Sequence, residues 1–99
     1  MQVTIVNEGE QIAGLAPTPG YRYAKRVGNQ LFVAGQVPLD PQSNLVGVDD
    51  PAVQARQCLT NLNILLDYHN FQFKDIRKLV VYVVGGHANL QLAWGAVTS

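Results

Sequence analysis

Apolar positions recur along this chain at two different periods, and each change of period marks an element. Val3 and Ile5 alternate with Gln2 and Thr4, which predicts a short strand over Val3 to Val6. Asn7-Glu8-Gly9-Glu10 then turns, and residues 13 to 20 form an irregular loop whose two prolines forbid regular hydrogen bonding. From Tyr21 to Val27 the two-residue alternation returns, with Tyr21, Tyr23 and Val27 on one face. Gly28-Asn29 separates that run from Leu31-Phe32-Val33-Ala34-Gly35, and two β-rich runs split by a glycine turn predict a hairpin. Gly35 and Pro38 break the second strand. A glycine there marks either a bulge or a place where another group approaches the backbone closely. Residues 39 to 50 read as loop, rich in turn formers such as Asp40-Pro41, Ser43-Asn44 and Gly47.

At Pro51 the period changes to that of a helix. Ala55, Cys58, Leu59, Leu62, Leu65 and Leu66 repeat at spacings of three and four, while Gln54, Gln57, Asn61 and Asp67 sit away from the stripe. Asp49 and Asp50 supply a cap and negative charge at the N-terminus, Pro51 suits the first helical position, and the helix is expected to end near His69 and Asn70. Ile76 to Val84 is dense in β-branched residues and apolar on both faces from Leu79, which predicts a central, covered strand beside a parallel neighbour. Gly85-Gly86 breaks it. Leu90, Ala93, Trp94 and Val97 then space a second, shorter helix over residues 88 to 98. The predicted order is β, β-β, α, β, α. A second βα unit normally delivers its chain to another strand, so the pattern predicts one α+β domain over residues 1 to 99 with its final strand missing, a C-terminally truncated unit.

Composition sharpens this picture. Charged residues make up only 14% of the chain against 47% apolar, a low polar share that suits a surface hidden against other copies of the chain; a compact, weakly charged monomer is the alternative. Seven basic and seven acidic residues cancel, leaving no net field to gather polyanions. Arg22, Lys25 and Arg26 are a thin footprint for nucleic acid and read as a solvated strand face. No apolar run reaches the roughly 20 residues that span a bilayer. The N-terminus lacks the basic-then-apolar layout of a signal peptide, so the cytoplasm is the expected compartment. The lone cysteine, Cys58, lies on the helix stripe and reads as a small core residue. His69 and His87 have no ligand partners at metal spacing, and no phosphate loop, zinc motif or Ser/His/Asp arrangement is present.

Val33-Ala34-Gly35-Gln36-Val37-Pro38, followed by a loop and Gln54-Ala55-Arg56-Gln57 with Leu62 farther on, resembles the reactive-intermediate deaminase (Rid, also YjgF) family. Tyr21 seven residues before Gly28-Asn29 supports the resemblance, as do Asp75-Ile76 and Lys78 before Val81-Tyr82-Val83. It covers the chain from about Thr18 to Ser99. The resemblance implies a chorismate-mutase-like fold (β-β-β-α-β-α in this chain), a homotrimer with pockets between subunits, and hydrolysis of enamines and imines such as 2-aminoacrylate to a 2-keto acid and ammonia without metal or organic cofactor. An anionic imino acid needs a fixed cation, best an arginine that meets the carboxylate at two points, and a water positioned for attack. In the family that arginine follows the second helix and an acidic residue follows on the last strand. Neither occurs in these 99 residues at a matching place.

The resemblance leaves four pocket positions here. Tyr21 matches a pocket tyrosine, with a strand aromatic packing at the hairpin as the alternative. Ala34 stands where many active members carry a serine. Gly35 lets ligand or backbone come close, and Gln91 lies near a position often held by asparagine, although Gly85 to Leu90 is shorter than usual. Three functions follow: an enamine/imine deaminase acting on a small-molecule substrate, a non-catalytic Rid-like domain that binds a small metabolite or assembles with partners, and a ribonuclease. Neutral charge and the lack of a general acid-base histidine pair count against the third. No nucleic-acid or membrane partner is expected.

Overall fold

The computed structural model describes residues 12–18 and 23–98. Strand β1 (Ala24–Val27) and strand β2 (Gln30–Val33) pair as an antiparallel hairpin, with Ala24 opposite Val33 and Val27 opposite Gln30. The two-residue turn has a positive φ at Gly28 and not at Asn29, the pattern of a type II′ turn, whose twist matches that of the strands it joins. Both strands are shorter than the alternation predicts. Tyr21 and the expected strand at Val3 to Val6 lie outside the described residues.

Helix α1 (Pro51–Tyr68) begins and ends on side-chain and backbone chemistry that is readable residue by residue. The Asp50 carboxylate accepts the Val53 N–H at 3.2 Å, so Asp50 is the cap, while Asp49 takes a left-handed φ of 57° in the turn before it. At the other end Asn70 adopts φ 64°. Its N–H donates to the Asp67 carbonyl at 3.0 Å, and the Phe71 N–H reaches back to the Leu66 carbonyl at 2.8 Å. Together these bonds make a Schellman motif with asparagine in the left-handed place. A 3₁₀ turn over Phe73–Asp75 follows, closed by the Asp75 carboxylate accepting the Gln72 N–H at 2.8 Å.

Helix α2 (His87–Thr98) packs against α1 and buries Ala93 and Ala96. The core sits where α1 meets the hairpin and the 12–18 segment: Leu65 is fully buried among Ile12, Leu15 and Ala24, with Tyr23, Leu31, Val33 and Ile64 packed around them. The Tyr23 hydroxyl donates to the Ala16 carbonyl and ties that segment to the hairpin.

One predicted element differs. Residues 76 to 84 form no strand, and none of the described residues pairs with them. Instead of being covered on both faces, the segment leaves Tyr82 90% and Val84 93% exposed, with Val81 and Val83 half-buried. The reason is that β-branched density favours an extended backbone but supplies no ladder partner, and a strand exists only as a pair. The described residues are therefore a small α+β unit of two strands and two helices, and the parallel neighbour is not among them. No helix among them is long and apolar enough to cross a membrane.

Candidate functional site

The segment after β2 decides where a small molecule could sit. Ala34 still belongs to the hairpin, since its N–H donates to the Tyr23 carbonyl at 2.8 Å. Past it the chain leaves the sheet. Pro38 sits at the centre of a tight three-residue turn in which the Leu39 N–H donates to the Val37 carbonyl at 2.8 Å. A chain that leaves a sheet loses its ladder bonds and must find other partners for its carbonyls. The Pro38 carbonyl takes the Val46 N–H at 2.8 Å, beside an antiparallel bridge between Leu39 and Leu45, and one face of α1 supplies partners for its neighbours. Asn61, 5% exposed, donates through Nδ2 to the carbonyls of Val37 (3.1 Å) and Leu39 (2.9 Å). Gln57 Nε2 donates to Leu39 O at 3.3 Å and to Asn61 Oδ1 at 2.9 Å, and the Cys58 thiol lies 3.6 Å from the Gln36 carbonyl.

Two hollows flank this segment. The smaller, about 390 Å³, lies between it and the 12–18 segment and is walled by Ala16, Tyr23, Gly35, Gln36, Leu39 and Asn61. At Gly35 an added Cβ would meet no atom within 4 Å, and φ there is not positive, so the glycine leaves open wall and serves no strained turn. The larger, about 580 Å³, runs along the outer side of the hairpin past Lys25, Arg26, Phe32, Ala34 and His69. There the Arg26 guanidinium lies 5.2 Å above the centre of the Phe71 ring, and His69 Nε2 is shielded from solvent without a hydrogen-bond partner among the described residues.

The four positions suggested by sequence are thus distributed. Gly35 faces the smaller hollow and Ala34 the larger. Gln91 is exposed on α2 and lines neither. Tyr21 lies outside the described residues, and Tyr23, two positions on, supplies the aromatic wall of the smaller hollow. Asn61 is the residue that the periodicity placed off the buried stripe and that the structure buries. Its signal was the pair of amides at i and i+4, Gln57 and Asn61, which share a helix face and can hydrogen-bond to each other.

Charge separates the hollows. The described lining of the smaller one is neutral; the larger has Lys25 and Arg26 at its rim. Burial pushes the Cys58 thiol above its ordinary range, which lowers its thiolate fraction and disfavours nucleophilic use. Among the described residues no three His, Cys, Asp or Glu side chains are grouped to hold a metal.

Comparison with known proteins matches this sequence to one family. The sequence model of the family described as Endoribonuclease L-PSP covers residues 11–95. A RutC family protein of Pyrococcus horikoshii is 37% identical over 70 residues, 69% of this chain and 56% of its own length. The 2-iminobutanoate/2-iminopropanoate deaminases of Salmonella typhimurium and Escherichia coli are 31% and 32% identical over 83 residues, 84% of this chain and 61% of theirs. The chain spans little more than half the length of the curated relatives it matches. With the match running through the hairpin, the loop and both helices, the chain belongs to the Endoribonuclease L-PSP family, the family of the RidA/YjgF and RutC proteins.

Proposed function

We propose that this domain serves the hydrolysis of short 2-imino acids, and that the smaller hollow beside Gly35 is where the imine binds. The carrying observation is the segment Gly35-Gln36-Val37-Pro38-Leu39, which leaves the sheet, is held by α1, and opens a wall at Gly35. The two relatives named as 2-iminobutanoate/2-iminopropanoate deaminases support the substrate class. In the reaction, water adds to the carbon of the C=N bond to give a carbinolamine. Collapse of that adduct expels ammonia and leaves the 2-keto acid, so one water enters and one ammonia leaves.

A neutral, largely apolar hollow suits the short side chain of such a substrate, and main-chain groups beside Gly35 suit a polar reacting centre. A carboxylate needs a cation, and the described lining supplies none. In this reading the cation is an arginine C-terminal to α2, as in the family pattern, followed by an acidic residue that positions the water. These 99 residues then supply the β-β-β-α-β-α part of the chorismate-mutase-like order, and a final strand after α2 completes it. The assembly is a homotrimer, which the exposed Tyr82 and Val84 and the exposed outer face at Phe32 support.

The neutral lining also supports a second reading, a domain that binds a small 2-keto or imino acid without turning it over. Ammonia release from enzymatically generated 2-aminoacrylate separates the two. The 99-residue chain is assayed beside a version carried through to the length of its relatives. The longer chain is expected to release ammonia well above the buffer rate and the shorter one near it. Buffer-rate release from both chains would overturn the deaminase reading in favour of binding alone.

A further inference from the structure

We infer that Asn61, with Gln57 as its support, is a positioning residue that sets the path of residues 36–39 and thereby the shape of the smaller hollow. The mid-helix location of an asparagine flanked by buried Leu62, Leu65 and Leu66 is costly unless its amide is fully used, because a buried unpaired amide loses its hydration without recompense. Here the amide is fully used. Both Nδ2 hydrogens go to main-chain carbonyls, Val37 and Leu39, and Oδ1 accepts from Gln57. Helix α1 needs none of these bonds for itself, since side-chain amides take no part in its ladder. All of the bonds from Asn61 to the main chain reach a segment that has left the hairpin and whose only β-type partner among the described residues is the single Leu39–Leu45 bridge. That segment also forms part of the hollow's wall, and Asn61 itself lines the same hollow.

Geometry makes the amide specific. Two donors on one nitrogen meet two carbonyls separated by the tight turn at Pro38, so the side chain clamps both arms of the turn. Aspartate at this position would set an acceptor against those carbonyls, and leucine would leave the Val37 carbonyl only the Leu39 N–H of its own turn and the Leu39 carbonyl only the longer bond from Gln57. Gln57 bonds one arm and the clamp itself, so its loss loosens without releasing.

The test uses Asn61→Leu, the milder Gln57→Met, and Asn63→Ala, an exposed position on the same helix, as control. Hydrogen exchange is followed by mass spectrometry on a peptide covering residues 34–42. In Asn61→Leu the Leu39 and Asp40 amides are expected to exchange at least tenfold faster, with a smaller acceleration in Gln57→Met. Peptides from the hairpin and from 51–68 are expected to hold their wild-type rates, and the control to match wild type throughout. Uniform acceleration of every peptide, or no change over 34–42, would overturn the proposal. Should Asn61→Leu fail to fold, Gln57→Met decides by the same criterion. The link from wall to substrate rests on the deaminase reading and is read separately, in the relative-length chain. There Asn61→Leu is expected to raise KM for the imine about tenfold with a smaller change in kcat. Faster exchange with an unchanged KM would overturn that link, whereas an inactive wild type with faster local exchange counts against the deaminase reading alone.

Discussion

Single side chains close the loop between the hairpin and α1. Asp40 Oδ1 accepts the N–H groups of both Gln42 and Asn44 at 2.9 Å, and the Asp40 N–H donates to the Asn44 carbonyl at 2.9 Å. These donors, the Asn44 backbone first, hold the Asp40 carboxyl below its ordinary value of 3.8. A carboxyl lowered on folding stabilises the folded form above its unfolded pKa, and that contribution is lost as pH falls through the lower folded one. Following the Gln42 and Asn44 amide resonances in an acid titration should therefore give a midpoint below 3.8, and Asp40→Asn should abolish the transition. A midpoint at or above 3.8 would show that the loop bonds are not made in solution. The turn residues here were legible in sequence as turn formers. Which of their side chains accepts which N–H was not, because several pairings satisfy the same composition.

Among the elements, α1 was the most legible, since period, cap and stop all agree. Two assignments needed the structure. Asp49 and Asp50 both read as cap candidates, and only Asp50 makes the bond. Asp50→Ala should cost about 1 kcal/mol, lowering the melting temperature by about 4–8 °C, whereas Asp49→Gly, which keeps the left-handed φ open, should stay within about 0.5 kcal/mol of wild type. At the other end Asn70→Gly should stabilise by a few tenths of a kcal/mol or more and Asn70→Val should destabilise, because only the first relieves the left-handed φ. Equal melting temperatures for the two Asn70 variants would contradict the Schellman end. Asn61 shows the limit of periodicity. A stripe of apolar residues marks which face is buried, yet its border can carry an amide that is buried because it serves another segment. The segment at 76 to 84 shows the complementary limit, since apolar density states a preference for burial and not the partner that satisfies it.

At the scale of the molecule, the exposed apolar edge and the neutral hollow point the same way, toward residues or copies not described here. Tyr82 and Val84 are exposed at alternate positions of a segment that no described residue pairs with, a surface prone to associate. Sedimentation of the relative-length chain should show a trimer, and paired Tyr82→Lys and Val84→Lys changes should weaken it at least tenfold if this surface is in the contact. Unchanged assembly would place the contact elsewhere. Of the site, the wall at Gly35 was legible from the Gly-Gln-x-Pro run. Its separation from Ala34 was not, because neighbouring residues on an extended chain face opposite ways.

The most direct measurement titrates 2-ketobutyrate, the product-like acid, into the isotopically labelled relative-length chain and follows the backbone amides. Perturbations are expected at Gly35, Gln36, Leu39 and Tyr23, where the chain leaves the sheet. Perturbations confined to Lys25, Arg26 and His69, along the outer hollow, would contradict the placement of the site.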